Sequence, residues 1–143
     1  MSANDLHESH KMRLVDDAKA LVEIATLAGA SCDKETFDLA IDLVGAPMMW
    51  TRDLYALRGL TLRGPHSIGS SEAAVFFSTP AQPDALIAEL TSRFHDNGAK
   101  TYAWRLVWND GRRDTDAGVH QMTGEAFAAA ARLLTGAATR VAA

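Results

Sequence analysis

Apolar positions along the chain recur with two periods, and the change of period divides it. Leu14, Ala18, Leu21, Ala25 and Ala28 step by four and three, with Val15 and Val22 beside them, so the spacing predicts a helix from about His10 to Ala28, stopped by Gly29. Phe37, Ala40, Ile41 and Val44 mark a second helix. Asp33 is placed to accept from the free N–H groups of its first turn, Glu35 suits the positive end of the dipole, and Gly45 and Pro47 end it. Trp50, Leu54 and Leu57 share a face if Thr51–Arg58 is a short third helix; a strand is the alternative. Arg63–Ser71 is a loop by composition.

Ala73–Thr79 is a continuous apolar run, read as a strand covered on both faces. Pro80 and Pro83 break it. Pro83 suits a helical first turn, and Leu86, Ile87, Leu90 and Phe94 then stand at near-helical spacing, with Asn97 and Gly98 as the stop. Lys100–Trp108 alternates: Tyr102, Trp104, Leu106 and Trp108 lie on one face, and Thr101, Ala103, Arg105 and Val107 on the other. Asn109, Asp110 and Gly111 signal a hairpin, followed by a short polar strand from Arg112. Thr123 can cap a last helix, Gly124–Leu134, ended by Gly136.

The predicted order is two or three N-terminal helices, a β-α-β unit, a short hairpin strand and a C-terminal helix. This is an α+β fold with a small mixed sheet covered by helices. The segment from Ala73 to Trp108 is long enough for a right-handed crossover between parallel strands. Residues 1–8 are expected to fray, 9–136 to form a single domain, and 137–143 to be a loose tail.

Composition narrows the function classes. With 48% hydrophobic and 22% charged residues in 143, the chain is neither a disordered nor a low-complexity segment. A net charge of −4 argues against nucleic acid and anionic membrane surfaces as partners. One cysteine, Cys32, permits neither an internal disulfide nor a multi-thiolate zinc site, which fits a reducing compartment. The start, MSANDLHESHKM, is polar, and the longest apolar run, Ala126–Ala131, is far short of the roughly 20 residues of a membrane span. A soluble cytoplasmic protein is expected. No dinucleotide fingerprint or Walker lysine is present, and no cofactor is expected.

Five constellations could carry chemistry. Asp114, Asp116 and Glu125, with Asp110 and His120 nearby, offer hard oxygens and an imidazole to a divalent cation. A calcium-loop alignment fails there, because Val119 stands where glycine is needed and Gly118 where a ligand is needed. His7 and His10 stand at i and i+3, one residue short of the metalloprotease spacing. Gly64, Ser67, Gly69, Ser70 and Ser71 could present donors to a phosphate beside Arg63 and His66. Tyr102, Trp104 and Trp108 could form a stacking platform with Arg105 opposite, although a core strand has the same spacing. Phe37–Leu57 has the outline of a helix-turn-helix, weakened by Asp53 and by the acidic chain.

No coherent catalytic set emerges. The sequence therefore reads as a small protein-interaction module, of inhibitor, immunity or regulatory type, contacting a partner protein through Trp108, Asp110, Arg112 and Arg113. The alternative is a small enzyme or small-molecule-binding domain. Its site would lie between the Gly64–Ser71 loop and the Tyr102–Trp108 strand, with His66 and His120 as the acting groups.

Overall fold

The computed structural model describes residues 3–29, 33–45, 55–68, 73–80, 82–110 and 118–142. The two N-terminal stripes fold as helices α1 (Ala3–Ala28) and α2 (Lys34–Val44). α1 begins ahead of the expected start near His10. Leu14, Ala18, Leu21, Ile24, Ala25 and Ala28 are its buried face, as the period required.

Both ends of α2 are chemically defined. The Asp33 carboxylate accepts from the Thr36 N–H at 2.8 Å, and that backbone hydrogen bond holds its pKa below the ordinary value. Gly45 closes the helix at φ +74°, its N–H donating to the Ile41 carbonyl at 3.0 Å. Of the expected third helix, the described part is one 3-10 turn, Tyr55–Leu57. The Tyr55 hydroxyl donates to Asp38 of α2, which pushes the phenol pKa up, and the Tyr55 ring meets Phe37 at 5.9 Å.

The strands are β1 (Thr61–Ser67), β2 (Ala73–Thr79), β3 (Gln82–Phe94), β4 (Lys100–Trp108) and β5 (Val119–His120), followed by α3 (Thr123–Ala142). They form one sheet in the order β1-β2-β3-β4-β5, every neighbour antiparallel. The α+β class holds: three helices with a five-stranded antiparallel sheet.

The internal order differs from expectation at β3. The helix expected over Leu86–Phe94 is a strand, so there is no β-α-β unit and no parallel crossover. Leu86 and Leu90 are four apart, a spacing that both periods satisfy. The strand period wins because β2 and β4 supply hydrogen-bonding partners on both sides. Leu86, Ala88 and Leu90 are buried, while Ile87, Glu89 and Thr91 are only half-buried.

Three further expectations are corrected. The Arg63–Ser71 loop begins as the edge strand β1, where Gly64 and Pro65 sit in a bulge. The run Ala73–Thr79 sends only one face into the core: Ala73, Val75 and Phe77 enter it, while Ala74, buried, and Phe76, half-buried, lie outside the core cluster on the far side. The last helix also extends past Gly136, to Ala142.

The core lies between one sheet face and the helices. Phe127 of α3 packs edge-on against Phe77 at 5.0 Å and Trp104 at 5.7 Å. Thr123, a buried polar residue at the start of α3, accepts from the Trp104 indole N–H at 3.1 Å and donates to the Leu14 carbonyl at 3.4 Å. One hydroxyl thus ties β4, α3 and α1 together. Among the described residues, no helix is long and apolar enough to cross a membrane.

Candidate functional site

Strand alternation sends successive side chains to opposite faces of the sheet. On the face toward the helices, Leu62, Phe77, Leu86 and Trp108 make one row, and Ala73, Leu90 and Trp104 another. All seven are buried in the core cluster. On the other face, the register aligns Arg63, Phe76, Ile87 and Val107 across β1–β4. The next row is His66, Ala74, Glu89, Arg105 and Val119. Then come Thr91 with Ala103, and Arg93 with Thr101.

Phe76, Ile87 and Val107 belong neither to the core cluster nor to the partly buried apolar residues packed against it. Each is half-buried, with its exposed part on a face where no described helix contributes to the core. This open face is the candidate functional surface.

The β1 bulge decides its composition. Arg63 and His66 are three residues apart and would point to opposite faces of a regular strand. Here the register passes from Arg63–Phe76 to His66–Ala74, three steps on β1 against two on β2, which returns both side chains to the open face. Gly64 is required there. Its φ is +127°, and a Cβ would stand 2.7 Å from the Ala74 carbonyl oxygen. The Arg63 guanidinium consequently lies 4.9 Å over the Phe76 ring, with His66 at 5.9 Å from the same ring. Arg63 also pairs with Asp84 at 3.0 Å. Asp84, at φ +47°, accepts from the Ser78 hydroxyl at 2.8 Å and returns its own N–H to it at 2.9 Å. Arg63 is thereby fixed from below by an aromatic ring and from the side by a carboxylate.

The residues singled out from sequence fare differently. Trp108, expected near the surface, is 5% exposed and faces the core, which removes its ring from any contact surface. Closeness to the hairpin turn does not expose it: an inward-facing strand residue beside a turn is still beneath the helices. Asp110 is exposed in the turn after β4. Arg112, Arg113, Asp114 and Asp116 lie outside the described residues, as do Cys32, Trp50, Gly69, Ser70 and Ser71.

His66 and His120 do not converge. His66 is on β1 and His120 on β5, the two edges of the sheet, roughly 19 Å apart by strand spacing. They also face opposite ways: His66 contacts Phe76 on the open face, whereas His120 registers with the inward-facing Trp104. His120 instead approaches Glu125 in the first turn of α3, Nδ1 to carboxylate at 3.6 Å. Tyr102 and Trp104 are fully buried, so the aromatic face of β4 is core and not a stacking platform. Among the described residues, no three His, Cys, Asp or Glu side chains gather as a metal site would need.

No local pattern in the sequence joins the residues that define the open face (Phe76, Ile87, Val107, Glu89 and Arg105) as a group. Alternation alone puts Arg105 and Val107 on the far face of β4. Phe76 and Ile87 looked like core residues, and only the pairing of β2 with β3 separates them from it.

The fold and surface define a class in structural terms: an antiparallel five-stranded meander with helices on one face and an amphipathic open face on the other. Comparison with protein-family models, curated proteins and solved structures found no match.

Proposed function

We propose that this protein is a small protein-interaction module, of inhibitor, immunity or regulatory type, that acts by binding a partner protein through the open face of its sheet. One observation carries the reading: the row Arg63–Phe76–Ile87–Val107, apolar in the middle and ending in a guanidinium held over an aromatic ring, lies outside the core. An apolar centre with a charged rim is the anatomy of a docking surface, and Phe and Arg are enriched at such surfaces. The Phe76 ring is gripped by Arg63 and His66, so little side-chain entropy remains to be lost on binding.

The test is capture of a partner from the host lysate, with nuclease present, followed by native mass spectrometry. The wild type is expected to retain a stoichiometric protein. Phe76→Asp is expected to lose it while its far-UV circular dichroism still shows the folded helices and sheet, because Phe76 does not pack on the core. Undiminished capture by a folded Phe76→Asp variant would sink the assignment of this face.

A further inference from the structure

We infer that a second copy of this chain covers the open sheet face, making the protein a two-fold homodimer whose self-contact a partner protein must displace. The inference rests on the reading of that face as a docking surface and names its resting occupant.

The argument is one of self-complementarity. In an isologous interface, each residue near the two-fold axis meets its exchange partner from the other copy, and does so twice. Let the axis run between two facing sheets, parallel to the strands and midway between β3 and β4. It then exchanges residues that stand opposite each other in the β3–β4 register. Those pairs are Ile87 with Val107, Glu89 with Arg105, Thr91 with Ala103 and Arg93 with Thr101.

Each pair suits its opposite. Ile87 and Val107 put aliphatic on aliphatic, where aligned sheets pack at about 10 Å with interdigitating side chains. Glu89 and Arg105 put a carboxylate on a guanidinium, once on each side of the axis. Thr91 meets the small side chain of Ala103. Arg93 meets the neutral Thr101. None of the four rows brings like charges together. A surface carrying one sign of charge along this line would repel its own copy, and this one does not.

The flanking strands extend the contact. β2 contributes Ala74, 2% exposed, and β5 contributes Val119, 62% exposed. They share the Glu89–Arg105 row on either side, so the same axis lays Val119 of one copy over Ala74 of the other.

Sedimentation velocity from about 1 to 100 µM tests this, as interfaces of ordinary size associate within or below that range. The wild type is expected to sediment as a dimer. Arg105→Glu is expected to raise the dimer dissociation constant at least about a hundredfold, since like charges then meet twice across the axis. The exchanged pair Glu89→Arg with Arg105→Glu is expected to restore the dimer, which also shows that the substituted strands still fold. A wild type that is monomeric throughout overturns the inference, and so does an Arg105→Glu variant that dimerises as the wild type does. A monomeric wild type that still loses its captured protein on Phe76→Asp overturns the self-contact alone. If Phe76→Asp keeps the captured protein, the docking reading falls with it.

Discussion

Thr123 shows how much one hydroxyl can organise. It is 1% exposed, accepts from the Trp104 indole N–H and donates to the Leu14 carbonyl. Thr123→Val keeps the shape but leaves a buried indole N–H without its acceptor, at a cost of about 1–3 kcal/mol. Thr123→Ser keeps the hydroxyl and is expected to retain most of that stability. Urea denaturation of both variants checks this, and a valine variant as stable as the wild type would show that the indole has another acceptor. From sequence, Thr123 was legible only as a helix cap. The capping residue of a helix is a local matter, whereas Leu14 stands more than a hundred positions away and Trp104 on another element. The same limit applies to Trp108 and to the two histidines. Their faces and separations follow from strand register, which no local pattern contains.

At the scale of the element, β3 is the instructive case. The spacing of Leu86, Ile87, Leu90 and Phe94 puts them on one face of a helix, where all four would be buried together. In the strand Leu90 is fully buried and Phe94 is 72% exposed. Leu90→Ala is therefore expected to cost about 2–5 kcal/mol. Phe94→Ala removes only a surface ring beneath the Lys100 ammonium, at 5.4 Å, and is expected to cost under about 1 kcal/mol. Comparable losses at both positions in thermal or chemical denaturation would contradict the strand register. β4 was legible because its alternation is unbroken over nine residues. β3 was not, because a spacing of four obeys both periods and Pro83 resembles a helix start. β1 was hidden by Gly64 and Pro65, which look like loop residues and are in fact the bulge that turns both Arg63 and His66 outward. Elements with one strong local signal were readable, and those fixed by their neighbours were not.

For the whole molecule, the class was legible and the open face was not. Apolar fraction and length demanded one core, and the mixture of periods demanded helices against a sheet. Which sheet face the helices cover depends on the hairpin order and on register. Val75 and Phe76 are adjacent and both apolar, yet only Val75 reaches the core. The core itself is one continuous cluster that takes Leu14, Leu21 and Ile24 from α1, Phe37 and Ile41 from α2, residues of the central strands, and Phe127 and Leu134 from α3. α2 packs on its neighbour α1, whereas α1 packs also on β1 and β4, and α3 on β3 and β4, so parting the sheet from the helices uncovers the stripes of α1 and α3. Cooperative, two-state unfolding follows. Indole fluorescence, to which the buried Trp104 and Trp108 contribute, and far-UV circular dichroism, dominated by the helices, are expected to report one coincident transition in urea. Helical signal that persists after the tryptophan transition would mean that α1 and α2 hold together without the sheet. In that case the open sheet face unfolds separately from the helices, and substitutions at Phe76 or Arg105 are to be judged against the stability of the sheet alone.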